Sequence, residues 1–274
     1  MRLNLSLIQL NIREDGDKNL ERALKLIKGT ILQGDFFILP ELFITNYSKI
    51  EENIVERKHP LFTLFEELSK KYPQKYFLTG SIPFKRDGNT YNSSFLFKDG
   101  KTFHLYDKIH LFTPMGEREI FESGNILNTY RIKGKNFQLK MGVIICYDLR
   151  FPELTRILAK SGIDILFVPA QWPLSRIEVF KNLIIARASE NGIFVAGINR
   201  VGRDGEELFG GSSLVVSPTG EILNPLTFEE KVIHVSINPE KYRKFKEKID
   251  PLKDIEERIY DLKPKIKICE KKLW

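Results

Sequence analysis

The stretch MGVIICYDLRFPEL, residues 141–154, carries a single cysteine at the end of an apolar run, and a thiol placed there has two uses. As a small hydrophobe, Cys146 would fill core space. As a nucleophile it would need a base for its proton and a positive group for the oxyanion it creates. Two other stretches hold such groups. LPELF puts Glu41 just past Pro40, where a carboxylate serves either as an ordinary charge at a helix start or strand end, or as the acceptor of a thiol proton. LYDKIHLF puts Lys108 in a run of alternating apolar and polar residues. Its ammonium either snorkels from a sheet edge or stands beside a reacting carbonyl, steadying the oxygen charge and helping to lower the cysteine pKa. Spacing alone leaves these alternatives open, because the three residues form one site only if three loops converge.

The elements around them are those of an alternating chain. Residues 3–10 read as a strand, and DGDKNLERALKLIKG as a helix with Leu20, Leu24 and Ile27 on one stripe. DFFILPELF reads as a buried strand limited by Pro40, with Glu41 at its exit, and HPLFTLFEELSKKYPQ as an amphipathic helix. YFLTGSIPF, NSSFLF and TFHLYDKIHLF are short extended segments. FQLKMGVIICY then reads as a strand that delivers Cys146 to a polar turn, FPELTRILAKSG as a helix and IDILFVPAQ as another buried strand. SRIEVFKNLIIARASENG is a long helix closed by Asn191 and Gly192, and IFVAGINR, SSLVVSPTG and VIHVSINPE return to strand. KRDGNT, KDGK and GRDGEE read as turns. Strands alternating with helices predict an α/β fold, and the number of short strands permits two sheets.

Composition narrows the class. The 274 residues, 42% hydrophobic and 29% charged, suffice for one large domain spanning 1–274, with the Lys-rich 241–274 a C-terminal extension at a subunit interface. Two cysteines make no disulfide framework and no metal-ligand spacing, which points to the reducing cytoplasm; Cys269 reads as incidental. MRLNLSLIQL reads as a first strand rather than a secretion signal, and no apolar run is long enough for a bilayer. The net charge of +7 is concentrated near the C-terminus, but acids interleave the lysines there. That pattern reads as a solvated face or a subunit contact, with neither nucleic acid nor membrane as a partner.

LPELF, YDKIHLF and VIICYDLRFPEL, in that order, resemble the nitrilase superfamily of carbon-nitrogen hydrolases, and within it the omega-amidase branch. PAQWPLSR, ARASENGIFVAGINRVG and GGSSLVVSPTGEIL extend the resemblance to about residue 236. The resemblance implies a four-layer α-β-β-α sandwich paired with another subunit as a homodimer or higher homo-oligomer. It also implies Glu41 as the base, Lys108 as the oxyanion lysine and Cys146 as the nucleophile, with the backbone N–H of Tyr147 completing the oxyanion site and no cofactor or metal required. A second acid is expected in HLFTPMGEREIFESG, where Glu117 matches better than Glu119.

The small-molecule amide is less determined. In AQWPLSR, Trp172 is either core packing or an apolar pocket wall, and Arg176 either a solvated helix residue or an anchor for a substrate carboxylate. Arg150 reads chiefly as the partner of a carboxylate in its own turn. The resemblance favours 2-oxoglutaramate or 2-oxosuccinamate; an amidase on deaminated glutathione, a hydrolase of a carbamoylated amine, and a noncatalytic interaction protein on the same fold are the alternatives.

Overall fold

The computed structural model describes residues 2–134 and 137–256. The strands are β1 (Leu3–Gln9), β2 (Phe36–Ile38), β3 (Tyr76–Leu78), β4 (Ile82–Arg86), β5 (Asn89–Lys98), β6 (Lys101–Asp107), β7 (Tyr130–Gly134), β8 (Phe137–Val143), β9 (Ile165–Ala170), β10 (Phe194–Asn199), β11 (Val201–Asp204), β12 (Glu207–Gly210), β13 (Leu214–Val216) and β14 (Lys231–Ile237). The helices are α1 (Gly16–Gly29), α2 (Pro60–Lys71), α3 (Glu117–Ile120), α4 (Pro152–Lys160), α5 (Ile177–Ser189) and α6 (Pro239–Lys246).

Period-two alternation sorts the first sheet into two faces. In β1, β2, β3 and β5, residues Leu5, Leu7, Phe36, Ile38, Leu78 and Leu96 join one core, whereas Ile8, Phe37, Phe77, Phe95 and Phe97 join another with Leu24 of α1 and Phe62 and Phe65 of α2. The first core is shared with the second sheet. Phe36 stacks on Phe167 of β9 with ring centroids 4.8 Å apart. Leu158 of α4 and Phe180 and Ile184 of α5 belong to this same core. Helices, sheet, sheet and helices therefore form four layers, the α-β-β-α sandwich expected from the resemblance.

The seven-stranded sheet runs β14, β1, β2, β3, β5, β4, with β6 also paired to β5; the five-stranded sheet runs β13, β10, β9, β8, β7. Each has a parallel centre, β1–β2–β3 in one and β8–β9–β10 in the other, with antiparallel strands outside it. The carboxyl ends of parallel strands are where open α/β sheets gather their ligands. Glu41 follows β2, Cys146 follows β8, and Gln171 and Arg200 directly follow β9 and β10.

Two sequence-based elements are shorter than their composition suggests. DFFILPELF is strand only over Phe36–Ile38, because Pro40 has no N–H for the ladder and the chain turns at once. The Lys108 segment leaves the sheet after Asp107. GRDGEE, read as a plain turn, is the tip of a two-stranded hairpin formed by β11 and β12. Cys269 and Trp274, with most of the Lys-rich tail, lie outside the described residues. No helix among the described residues is long and apolar enough to cross a membrane.

Candidate active site

The turn after β8 is built by a carboxylate. Asp148, fully buried, accepts the Ile145 N–H at 3.0 Å, the Tyr106 hydroxyl at 2.8 Å and the His110 N–H at 2.8 Å, with His110 Nδ1 at 2.9 Å. It takes the N–H that would have continued the strand and starts a short 3₁₀ turn, Cys146–Arg150. It also ties the residues flanking Lys108 to those flanking Cys146. Cys146 itself stands at φ +46°, in the left-handed region that costs a side-chain-bearing residue about 1–3 kcal/mol. That strain throws the thiol out of the strand direction and toward Glu41.

The Glu41 turn is equally constrained. Leu42, next to it, has φ +44°, and its N–H donates to Ser81 Oγ at 3.0 Å. Gly80 packs so tightly on this turn that a Cβ there would lie 2.0 Å from the Pro40 carbonyl oxygen, and its own φ is +63°. Only glycine fits that approach. Lys108 is held through its backbone, donating to the Asn92 carbonyl at 2.9 Å and accepting from Gly124 N–H at 2.9 Å.

These turns bring together Glu41, Lys108, Glu117 and Cys146. Lys108 Nζ donates to Glu41 Oε1 at 2.8 Å and to Glu117 Oε1 at 2.7 Å, with all three side chains fully buried. Glu41 Oε1 also accepts from Asn92 Nδ2 at 3.0 Å, while Oε2 accepts the Gln171 N–H at 3.1 Å. Glu117 accepts the Tyr47 hydroxyl at 3.0 Å on Oε1 and the Phe112 N–H at 2.7 Å on Oε2. The Cys146 thiol lies beside the Glu41 carboxylate and the Gln171 N–H, both of which act on it electrostatically. Between the two candidate second acids the structure separates clearly: Glu117 is buried against Lys108, and Glu119 is exposed.

Burial dominates the electrostatics. It pushes the Glu41 carboxyl up, opposed by Lys108 and reinforced by Glu117. Burial alone would push the Lys108 ammonium down, but Glu117 and Glu41 outweigh it and hold the group above its ordinary value, hence charged. The thiol is pushed well above its ordinary value, first by burial and then by Glu41, with Lys108 pulling the other way. The expected lowering of the cysteine pKa by Lys108 is therefore outweighed by burial and by Glu41, which favour the thiol over the thiolate.

A pocket opens over this cluster, lined by Cys146, Tyr147, Trp172, Phe112, Met115 and Phe209 together with three charged side chains, Arg150, Arg176 and Glu207. Trp172 packs against Phe180 with centroids 5.7 Å apart and also lines the pocket. Arg176 lies 5.7 Å from the Phe112 ring centre and Arg150 4.9 Å from that of Trp172. Among the described residues Arg150 pairs with no acid of its own turn, and its guanidinium lies over the tryptophan ring. The Tyr147 N–H, at the first step of the 3₁₀ turn, has no acceptor among the described residues. Among those residues no group of three or more His, Cys, Asp and Glu side chains is arranged to hold a metal ion.

Several members of the site had no sequence signal. Tyr47 and Asn92 are ordinary polar residues in their local context, Asp148 and Gln171 lie in motifs that single out neither, and Glu207 belongs to the GRDGEE turn. The proline and glycine punctuation around LPELF and LTGSIP was the one trace of the tight packing beneath Glu41.

Comparison with known proteins agrees with this geometry. A family model described as Carbon-nitrogen hydrolase matches residues 4–247. The chain is 30% identical over 264 residues to a 2-oxoglutaramate amidase of Bacillus subtilis, covering 95% of this chain and all of that one. It is 31% identical over 277 residues to omega-amidase NIT2-B of Xenopus laevis, covering 96% and 99%. The crystal structure of XC1258 from Xanthomonas campestris, a CN-hydrolase superfamily protein with an arsenic adduct in its active site, superposes with a TM-score of 0.84. Its identity is 25%, with 93% of this chain and 98% of that one covered.

Proposed function

The chain belongs to the carbon-nitrogen hydrolase family, and from that premise we propose that it hydrolyses the terminal amide of a small 2-oxo acid, such as 2-oxoglutaramate or 2-oxosuccinamate, with Cys146 as nucleophile. The protein is a thiol-dependent hydrolase of the amidase type for small carboxylate-bearing amides. The observation that carries the reading is the buried Glu41–Lys108–Glu117 set against the Cys146 thiol, at the foot of a pocket that also presents guanidinium groups.

Each residue has one task. Glu41 Oε1 is occupied by Lys108 and Asn92, so Oε2 is the oxygen with capacity for the thiol proton. As the proton moves to Oε2, the sulfur attacks the amide carbon. The oxyanion is met by Lys108 Nζ and the Tyr147 N–H, donors already in place before reaction. Glu117 holds Lys108 on its second side and keeps it charged. The proton on Glu41 passes to the amide nitrogen, the C–N bond breaks, ammonia leaves and a thioester remains. Water then gives a proton to Glu41 and attacks the thioester carbon; the carboxylate product departs and the sulfur regains its proton.

Arg176 is assigned to the far carboxylate of the substrate, with Arg150 beside it on Trp172. A guanidinium supplies two parallel donors to a carboxylate, which suits a short dicarboxylic monoamide. The names carried by the relatives support the 2-oxo acid, and the pocket supports a compact anion. The test is ammonia release by the wild type and Cys146→Ala from 2-oxoglutaramate, with glutamine and N-carbamoylputrescine in parallel. Release confined to the wild type and greatest with the 2-oxo amide is the expected result. Greater release from either competitor would overturn the substrate, and release by purified Cys146→Ala would overturn the nucleophile.

A further inference from the structure

The peptide that touches both the thiol and its base is itself held by the next strand. Gln171 and Trp172 follow β9; Asn199 ends β10 and Arg200 follows it, in parallel register with Asn199 opposite Ala170. Asn199 clasps the Trp172 backbone, accepting its N–H at 2.8 Å and donating to its carbonyl at 3.0 Å. Arg200 reaches the Gln171 side chain, with Nη1 to Oε1 at 3.1 Å. Gln171 in turn donates Nε2 to the Glu41 carbonyl at 2.9 Å and its N–H to Glu41 Oε2 at 3.1 Å. The same N–H favours the thiolate form of Cys146.

Arg200 is a costly residue for this position. It is fully buried, and among the described residues it belongs to no ion pair. Its donors are met by neutral oxygens: Gln171 Oε1, Asn46 Oδ1 at 2.8 Å, and the carbonyls of Ile12 at 2.5 Å, Arg203 at 3.2 Å and Val201 at 3.3 Å. Phe209 covers its face, 4.4 Å from the guanidinium carbon. Asp204 acts on the guanidinium only through space, its carboxylate being taken up by the Tyr47 and Ser48 N–H groups and the Ser48 hydroxyl, so the charge is held by a cage of neutral acceptors and not by an ion pair. Such a cage leaves the guanidinium, and so the Gln171 oxygen bound to it, little freedom to move.

We propose that Arg200, acting through Gln171, is a positioning residue for the thiol and carboxylate pair. With Gln171 gripped at Oε1 by Arg200 and at Nε2 by the Glu41 carbonyl, its N–H is fixed between Oε2 and the sulfur. There it hydrogen-bonds the carboxylate at rest and the thiolate once the proton has moved. Loss of the grip lets the 171 peptide rotate, and the thiolate loses a donor at the moment it forms. The proposal rests on the reading of Cys146 and Glu41 as nucleophile and base; it is independent of which amide is the substrate.

The test is the rate of Cys146 alkylation by iodoacetamide from about pH 5 to about pH 10, read by peptide mass spectrometry, a reaction that breaks the C–I bond and involves no amide hydrolysis. Arg200→Lys and Gln171→Met are compared with the wild type and with Asp164→Ala. Asp164 is at the opposite end of β9, where it accepts the Lys140 N–H at 2.8 Å and pairs with Arg243 at 3.0 Å, so its loss weakens the fold away from the site. Both site variants should lower the rate near neutral pH about tenfold and move the acid limb by about half a pH unit or more, as a displaced donor demands. Asp164→Ala should lower the unfolding midpoint and leave the profile on that of the wild type. Wild-type-like profiles in folded site variants, or an equal shift in Asp164→Ala, would overturn the positioning role alone. If Arg200→Lys does not fold, Gln171→Met decides, since it removes the grip and leaves Arg200 in place. A wild-type Cys146 that alkylates as a free thiol, with one limb rising through the ordinary thiol range, would overturn the nucleophile and base reading and the proposal with it.

Discussion

Glu41→Gln isolates the proton transfer, because it keeps the shape of the base and removes its charge. The carboxylate stands among donors, Lys108 and Asn92 on Oε1 and the Gln171 N–H on Oε2, with the Cys146 thiol beside it. A glutamine that keeps its oxygen toward Lys108 and Asn92 must turn its NH₂ toward the Gln171 N–H, leaving a buried donor unmet at a cost of about 1–3 kcal/mol in stability. The flipped amide faces two donors and is worse. Loss of a positioned general base lowers rates by about a hundredfold to ten-thousandfold, or about 3–5 kcal/mol of barrier. The pH dependence gives the sharper reading. Burial raises the Glu41 carboxyl, so wild-type kcat/KM should fall as pH drops through a value above the ordinary carboxylate range, where the base becomes protonated. In Glu41→Gln that limb should vanish. The carboxylate that raises the thiol is gone while Lys108 remains, so the sulfur ionises to bulk water at a lower pH than in the wild type, and the residual rate should climb with pH until that ionisation is complete. The assay is kcat/KM from ammonia release, with iodoacetamide labelling of Cys146, which displaces iodide and needs no turnover, as a check. A folded Glu41→Gln protein that keeps more than about a tenth of the wild-type rate, with the same acid limb, would refute Glu41 as the base.

Four further perturbations address the rest of the site and its support. Arg176→Ala should raise KM for a carboxylate-bearing amide about tenfold, with kcat nearly unchanged and no effect on an uncharged amide of equal length; steady-state kinetics on the matched pair checks it. Asp148→Asn places an amide donor among four donor contacts and should cost about 2–3 kcal/mol, read from the urea midpoint, with a fall in Cys146 labelling because the turn beneath it loosens. Gly80→Ala forces a methyl against the Pro40 carbonyl at φ +63°, so unfolding should move down by about 1–3 kcal/mol and kcat should drop as the Glu41 turn shifts. Phe36→Ala, deep between the sheets against Phe167 and Tyr76, should cost about 3–5 kcal/mol by denaturant titration while leaving the pH profile of alkylation in place.

The boundary between what local sequence specifies and what only folding decides runs through the site itself. The helical stripe of Leu20, Leu24 and Ile27, the apolar runs before Glu41 and Cys146, and the proline and glycine stops are local signals. They depend on side-chain periodicity and backbone restriction, which act over a few residues. The ordered motifs around Glu41, Lys108 and Cys146 were legible for the same reason. Contact between those motifs was not. Lys108 meets Glu41 across 67 positions, and Gln171 meets it across 130. No periodicity encodes a hydrogen bond over such a span; it exists because two parallel sheet centres place their carboxyl ends side by side. That placement separated Glu117 from Glu119, turning one inward to Lys108 and the other to solvent, although the two acids are two residues apart. It also made Asn92 and Tyr47 part of the site, residues whose neighbours in sequence say nothing of their role, and gave Gln171 a contact with Glu41 that its motif does not specify. Above all it set the charge state of the centre. Composition and motif identify a cysteine, but whether its sulfur rests as thiol or thiolate depends on the water removed from it and on the carboxylate brought against it, and both are properties of the folded chain alone.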